Sequence, residues 1–126
     1  MSNEVNEPIY GNGKICYLEL PSRDLAESSA FYRDIFDWKI SKRADGSVTF
    51  DDGVGGVSGR WRTDRKPNIE IGQLVHIMVD DIEVTIQKIK HHGGTIVQPV
   101  GMDAPEITAL FRDLSDNVLG LYQHRG

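Results

Sequence analysis

The sequence predicts an α+β fold in which two βαβββ repeats form a curved mixed sheet around a central cleft. A strand, an amphipathic helix and a second strand follow one another over Lys14–Ile40, and a weaker copy of this stretch begins at Gln73. Each copy is followed by short β-branched and aromatic segments separated by turn residues, a pattern typical of strands. A lone βαβββ unit would leave one sheet face uncovered, so we expect the two units to pair.

The length of the chain, 126 residues, suits one compact domain and leaves no room for a second large one. We expect residues 1–13 to be a flexible lead-in, because they are polar, acidic and rich in turn residues. Residues 14–126 are then a single domain. Its predicted parts are a first unit at 14–62, a linker at 63–72 and a second unit at 73–126.

The first unit opens with a predicted strand and helix. The strand covers Ile15–Leu20 and ends at Pro21, which lacks the N–H group that a sheet ladder requires. Asp24 is placed to cap the helix, with Glu27 as its third helical residue. The apolar face of that helix recurs at helical spacing at Leu25, Ser28, Tyr32, Ile35 and Phe36.

Three more strands complete the first unit. One begins near Trp38, and Asp45-Gly46 predicts a tight turn into the next, at Ser47–Asp51. The glycine-rich stretch 53–59 lacks the Gly-Lys-Ser/Thr ending of a phosphate loop, and no helical pattern follows it. We therefore interpret it as a turn into a fourth strand at 60–62.

The second unit repeats this order. A strand at 73–79 leads to Asp80, which is predicted to cap a helix whose apolar face holds Ile82, Thr85, Ile86 and Ile89. Strands are expected at 95–100, 109–113 and 117–123. When the sequences of the two units are aligned, Tyr17 matches Leu74 and Glu19 matches His76.

Composition excludes several classes of protein. A formal net charge of −5 argues against sequence-independent binding to nucleic acid, which needs clustered cations, and mildly favours cationic or neutral ligands. No apolar run approaches the roughly 20 residues that span a bilayer, and no signal peptide is apparent. We therefore expect a cytoplasmic protein without membrane or nucleic-acid partners. Cys16, the only cysteine, is expected to be a small core residue of the first strand.

Several segments resemble the vicinal oxygen chelate superfamily, which holds glyoxalase I, bleomycin-resistance proteins and extradiol dioxygenases. They are Leu18-Glu19-Leu20-Pro21 with Asp24-Leu25, then Phe31–Trp38, Val79–Ile82 and Asp113–Tyr122. The resemblance covers roughly residues 14–124 and is strongest to the branch of predicted enzymes related to lactoylglutathione lyase. The glycine-rich stretch 53–59 and the ending Leu119–Gln123 are also similar to that branch.

The resemblance also implies where a divalent metal would bind. Metalloenzymes of the superfamily use a His or Gln on the first strand of each unit and a Glu near the end of each last strand. Carried over, these positions fall on Tyr17, on Leu74, on or near Gly59 and on Gly120. None of these is a conventional ligand, so we expect no metal and no other cofactor, with one divalent ion at a different site as the alternative.

The same positions indicate which side chains face the cleft, because strand residues alternate between the two faces. The candidate ligand-binding residues are Tyr17, Glu19, Trp61, Leu74, His76, Met78 and Tyr122. Glu19 and His76 are expected to meet across the pseudo-twofold axis, either as a base or cation anchor or as a structural ion pair. Arg60 and Arg62 are expected to point away from the cleft.

These features predict a metal-free protein that binds a small aromatic or cationic molecule in its cleft and forms a homodimer. The alternative is a lactoylglutathione lyase-like enzyme, another lyase or isomerase, or a dioxygenase that uses Glu19 and His76 as catalytic groups. A structural or regulatory domain with a filled cleft is the third class. The sequence leaves open whether the cleft forms within one chain or across a dimer.

Overall fold

The computed structural model describes residues 11–12, 14–67 and 72–125. Most of the predicted lead-in and residues 68–71 of the predicted linker lie outside the described residues. The predicted α+β fold with two βαβββ units is confirmed. No helix in the described ranges is long and apolar enough to cross a membrane.

The elements follow the predicted order, and the bounds of the strands differ from the predicted ones by up to three residues. The first unit contains β1 (Tyr17–Pro21), α1 (Leu25–Phe36), β2 (Lys39–Lys42), β3 (Val48–Asp51) and β4 (Ser58–Arg62). The second contains β5 (His76–Val79), α2 (Ile82–His91), β6 (Thr95–Gln98), β7 (Ile107–Arg112) and β8 (Val118–Gln123).

Each unit forms one four-stranded mixed sheet. We call the sheet of order β1-β4-β3-β2 the N-sheet and the sheet of order β5-β8-β7-β6 the C-sheet. In both, the first strand of the unit runs parallel to its last strand, and the remaining pairs are antiparallel. The repeat detected in the sequence is therefore a repeat of topology.

The two helices begin at aspartate caps. The side chain of Asp24 accepts a hydrogen bond from the backbone N–H of Glu27 at 3.0 Å, as predicted. In the second unit the cap is Asp81, which accepts from the backbone N–H of Val84 at 3.1 Å. The prediction of Asp80 was wrong by one residue, because two successive aspartates offer the same capping chemistry and only the backbone decides between them.

The first strand of each unit begins two or three residues later than predicted, and in β1 this changes the predicted burial of one side chain. β1 begins at Tyr17, so Cys16 precedes the strand and is exposed. The prediction of Cys16 as a core residue was wrong. β5 begins at His76, which leaves Leu74 just before the strand and half-buried.

One hydrophobic core lies between the helix-facing sides of the two sheets. Phe31 of α1 stacks on Phe111 of β7, with ring centroids 6.3 Å apart, while Tyr32 lies 5.9 Å from Trp61 of β4. α2 contributes Ile82, Ile86 and Ile89 to the same core. Because α1 packs against strands of both sheets, the helix-facing sides of the two sheets share this core. The other face of each sheet points away from the core.

A buried carboxylate ties α1 to the turn between β7 and β8. Asp113, 5% exposed, accepts hydrogen bonds from the Tyr32 hydroxyl at 2.8 Å, from the Asn117 side chain, and from the backbone N–H groups of Ser115 and Asn117. Burial, together with the charge of Asp113, raises the pKa of Tyr32 well above its usual value. Asn117 also donates to the carbonyl of Pro21 at 2.7 Å and so links the two units.

Candidate functional site

Each sheet has one face that does not contact a helix, and these two faces contain most of the predicted ligand-binding residues. Side chains of directly paired residues share a face of a sheet. In the N-sheet, Tyr17 pairs with Ser58, Glu19 with Arg60 and Pro21 with Arg62. We call the face that carries Tyr17, Glu19, Ser58, Arg60 and Arg62 the N-face.

The corresponding surface of the C-sheet is set by the pairing of β5 with β8 and of β8 with β7. His76 pairs with Gly120, and Gly120 with Leu110; Met78 pairs with Tyr122. We call the face that carries His76, Met78, Leu110, Gly120 and Tyr122 the C-face. Its residues are mainly apolar, whereas those of the N-face are mainly charged.

The structure corrects the predicted orientation of β4. Trp61 is 3% exposed and lies in the core, where its ring is 4.8 Å from that of Phe50 and 6.3 Å from that of Trp38. Arg60 and Arg62, predicted to point away, are on the N-face beside Glu19. The predicted alternation of β4 was wrong by one residue, and a shift of one residue exchanges the two faces of a strand.

Three arginines surround Glu19. Oε2 of Glu19 accepts hydrogen bonds at 3.3 Å from Nε of Arg60 and from Nη1 of Arg62. Its other carboxylate oxygen, Oε1, lies 2.7 Å from Nη1 of Arg65. Arg62 also holds Asp64 through two hydrogen bonds of 2.9 and 2.6 Å. The carboxylate of Glu19 is therefore shared by guanidinium groups from β4 and from the turn that follows it.

These contacts keep Glu19 ionised. Partial burial of the carboxyl group acts to raise the pKa of Glu19, but the hydrogen bond from Arg62 and the charges of Arg65 and Arg62 outweigh it and lower the pKa. In return, the hydrogen bonds to Asp64 and Glu19 raise the pKa of Arg62. Near neutral pH, Glu19 is a charged acceptor already occupied by cations, which makes it a poor general base.

On the C-face, the imidazole of His76 lies directly over Gly120. A Cβ atom at Gly120 would lie 2.6 Å from Nε2 of His76, closer than side-chain atoms approach. Met78, two residues along the same strand, is 71% exposed. A glycine on the central strand of this surface is what allows the imidazole to lie flat against the backbone.

The structure does not bring Glu19 and His76 together within the chain. Glu19 binds Arg60, Arg62 and Arg65, and among the described residues His76 makes no hydrogen bond or ion pair. The predicted Glu19–His76 ion pair is therefore replaced by the arginine cluster. The two side chains do hold equivalent places, each on the first strand of its unit and each on the face away from the helix.

The two cavities beside the helices are not lined by residues of these faces. One, of about 320 Å³, lies between α1 and the region of His92 and Leu114. The other, of about 240 Å³, lies between α2 and the start of the loop after β6. Both are shallow grooves beside helices, with no arrangement of charged groups comparable to that around Glu19.

Comparison with protein families decides what kind of protein this is. The family model of the glyoxalase/bleomycin resistance protein/dioxygenase superfamily matches residues 14–121, which include all the strands and both helices except the end of β8. The chain belongs to this superfamily. The resemblance inferred from the sequence segments is confirmed.

Individual relatives agree with this assignment. A glyoxylase-like domain-containing protein of Didymella fabae is 29% identical over 122 residues, which cover 84% of this chain and 90% of that protein. The solved structure of TnmS3, an antibiotic binding protein from a Streptomyces species, has a TM-score of 0.67 at 17% identity and covers 91% of this chain and 98% of its own. The fosfomycin resistance protein FosX of Mesorhizobium loti has a TM-score of 0.66 at 15% identity, over 91% and 94% of the two chains.

The residues present do not fit the divalent metal that the superfamily implies. Gly120 has no donor atom, and the His76 ring fills the space that a side chain there would need. On β4, Gly59 faces the core against Phe50, and the N-face position paired with Glu19 is Arg60, a cation. Among the residues that the structure describes, no group of three or more His, Cys, Asp or Glu side chains is arranged to hold a metal ion.

The sequence analysis missed the arginines that dominate the N-face. A signal was present, because Ser58, Arg60 and Arg62 alternate with Gly59 and Trp61, which predicts one polar and one apolar face. Matching the polar set to Glu19 and the apolar set to the core would have placed β4 correctly. Arg65 had no such signal, since it lies in the turn after β4.

Proposed function

We propose that this member of the superfamily binds a small, planar aromatic molecule against the N-face and the C-face, without a metal ion. The observation that carries this proposal is the apolar surface exposed on the first strand of each unit, on the face away from the helix. Met78 is 71% exposed and Tyr17 47% exposed, on the first strands of their units. Tyrosine and methionine provide flat or adaptable area to which aromatic ligands bind well.

The absence of a metal from this proposal rests on the residues at the ligand positions. The ligand positions hold a phenol at Tyr17, a guanidinium at Arg60 and an alkyl chain at Leu74. The fourth position, Gly120, has no side chain. Such a set does not provide the three or more anionic or imidazole donors of a catalytic metal site. The similarity in fold to TnmS3, an antibiotic binding protein, supports a binding role for a chain of this shape.

We further propose that the binding cleft is completed by a second copy of the chain. Ligand sites enclose roughly 70–90% of a small ligand, and a single sheet face covers only one side of it. Within one chain the N-face and the C-face lie on the far sides of a shared core. A homodimer in which the N-face of one protomer lies opposite the C-face of its partner would provide both walls.

The test uses 1-naphthalenemethanol, a neutral planar probe, with amide chemical shifts of the full-length protein as the readout. We expect the largest shifts at Tyr17, Met78 and Tyr122, and we expect Met78→Glu to weaken binding at least about tenfold, because it places a charge in the apolar wall. Met102→Glu is the matched control. Met102 is also 71% exposed but lies in the loop between β6 and β7, and its substitution should leave binding unchanged.

Two further measurements probe the rest of the proposal. Probe binding should be the same after chelation and after addition of zinc, nickel, manganese or iron. A metal-dependent turnover abolished by His76→Ala would overturn the proposal in favour of an enzyme with a metal at a non-standard site. Sedimentation analysis should give a dimer, and a monomer at all concentrations would contradict the two-chain cleft.

A further inference from the structure

The N-face carries more positive than negative charge, although the whole chain is acidic. Arg60, Arg62 and Arg65 contribute three guanidinium groups around one carboxylate, Glu19, and Asp64 adds a second carboxylate at the edge. Asp51, which pairs with Ser58 on this face, is offset by Lys39, which pairs with Asp51. The formal net charge of the chain is −5. A local surplus of cations on an acidic protein concentrates anions at that place.

The three arginines differ in how many donors remain for a ligand. All three nitrogens of Arg62 are engaged, since its Nε and Nη2 bind Asp64 and its Nη1 binds Glu19. Among the described residues, Arg60 uses only Nε and Arg65 only Nη1, both toward Glu19. A guanidinium group has five N–H donors, so Arg60 and Arg65 keep most of theirs for another acceptor.

Glu19 holds the guanidinium groups of Arg60 and Arg65 in place. Its two oxygens bind them separately, Oε2 to Arg60 and Oε1 to Arg65, so that both lie around one carboxylate. Their side chains are 33% and 52% exposed, which leaves them accessible from the open side of the sheet. Arginines fixed in this way lose less conformational freedom when they bind an anion.

An aromatic surface lies beside this cluster. Tyr17 and Glu19 are two residues apart on β1, which places their side chains on the same face, roughly 7 Å apart. The Tyr17 ring is therefore one side-chain position from the arginines. A flat molecule of about the size of a fused two-ring system can cover the Tyr17 ring and still reach Arg60 with a substituent.

We propose that the ligand of this site is an aromatic anion, whose carboxylate or other planar anionic group binds Arg60 and Arg65 while its ring lies against Tyr17. This inference rests on the proposed function and specifies its ligand class. It replaces the expectation of a cationic ligand, which was drawn from the net charge of the chain. The charge of the site itself has the opposite sign to the charge of the whole chain.

The experiment compares three probes that share one ring system and differ in charge: 1-naphthoate, 1-naphthamide and 1-naphthalenemethylamine. Dissociation constants are measured by amide shift titration of the full-length protein. We expect 1-naphthoate to bind at least about tenfold more tightly than 1-naphthalenemethylamine, with 1-naphthamide between them. Added sodium chloride should weaken binding of 1-naphthoate and leave that of 1-naphthamide nearly unchanged.

Substitutions assign the effect to residues. Arg60→Gln and Arg65→Gln should each weaken 1-naphthoate binding about tenfold and change 1-naphthamide binding less than about twofold. Retained binding of 1-naphthamide also shows that each variant is folded. Arg23→Gln is the matched control, because Arg23 is an exposed arginine paired with Asp116 away from the N-face, and its loss should change neither constant.

The outcomes separate this inference from the proposed function. Equal binding of all three probes, with shifts at Tyr17 and Met78, would overturn the anion preference and keep the aromatic site. Tightest binding of the amine would make Glu19 the ligand-binding group and overturn the inference. No binding of any probe would overturn both proposals.

Discussion

The N-face and the C-face occupy equivalent places in two units of the same topology, yet their chemistry differs. Glu19 and His76 hold matching positions on β1 and β5; one is surrounded by arginines and the other lies over a glycine. The helix-facing sides have not diverged in this way, since Leu18 and Leu20 in one unit and Ile77 and Val79 in the other all pack on the core.

This contrast shows where the fold restricts the sequence and where it does not. The helix-facing side of each sheet must be apolar in both units because it forms one shared core. The open faces carry no such requirement, so one can be charged and the other apolar without loss of the fold. The proposals above are accordingly based on the open faces.

The first prediction compares the buried and open sides of the sheets. Trp61→Ala should lower the free energy of unfolding by about 3–5 kcal/mol, because Trp61 is 3% exposed and packs against Tyr32, Trp38 and Phe50. Met78→Ala, on the open side, should change it by less than about 0.5 kcal/mol. Urea denaturation measures both. Similar losses in the two variants would contradict the orientation of β4.

The second prediction compares equivalent turns of the two units. Asp113→Asn should cost about 2–3 kcal/mol, because four donors converge on its buried carboxylate and an amide can satisfy only part of them. Asp52 lies at the matching turn before β4, where its side chain accepts one hydrogen bond, from the backbone N–H of Gly56 at 2.7 Å. Asp52→Asn should cost less than about 1 kcal/mol.

Thermal and urea unfolding of the two aspartate variants provide the measurement. Tyr32→Phe removes one of the four donors to Asp113. The double variant Tyr32→Phe, Asp113→Asn should therefore be destabilised by less than the sum of the two single variants. If Asp52→Asn and Asp113→Asn are equally destabilising, the buried network is not the link between the units.

The third prediction compares two glycines on opposite faces. Gly59→Ala should cost about 1–3 kcal/mol, because its Cβ would overlap the backbone oxygen of Leu18 and the ring of Phe50, both held in the core. In Gly120→Ala the nearest atoms to the new Cβ belong to the ring of His76, which is exposed and free to turn, so we expect a loss below about 1 kcal/mol. The imidazole resonances of His76 should shift in Gly120→Ala. Unchanged resonances would mean that the ring does not lie over Gly120.

The fourth prediction concerns the pH dependence created by the arginine cluster. Because the arginines lower the pKa of Glu19 from its ordinary value of 4.5, the carboxylate stabilises the folded state above that pH, and this contribution is lost as the pH falls through the lowered pKa. The stability difference between the wild type and Glu19→Gln should therefore shrink between about pH 7 and about pH 3. The effect is small because the pair is open to solvent.

Arg62→Gln is the companion variant, since Arg62 gives Glu19 the hydrogen bond that does most to lower its pKa. In an Arg62→Gln background the pH dependence produced by Glu19→Gln should be weaker. A difference that grows as the pH falls would mean that the cluster raises the pKa of Glu19, contrary to the structure.

Features that depend on residues close together in the chain, such as helix caps and tight turns, could be predicted from the sequence. The Asp24 cap and the apolar spacing of α1 lie within a few residues of one another, so the bounds of that helix followed from the sequence. The repeat and the Asp45-Gly46 turn gave the order of the strands. Predictions failed where two neighbouring residues offered the same chemistry, as with Asp80 and Asp81, or where a strand end decided exposure, as with Cys16.

By itself, the sequence determined the fold class and the two-unit topology, because both depend on residue type and on periodicity along the chain. Only the tertiary structure decided which face of β4 is open, that Arg65 reaches Glu19, and that His76 lies over Gly120. A strand of five residues has two alternating faces, and the partner strands fix which of them meets the core. The chemistry of the candidate site depends on that choice, because β4 presents Arg60 and Arg62 to the open face and Trp61 to the core.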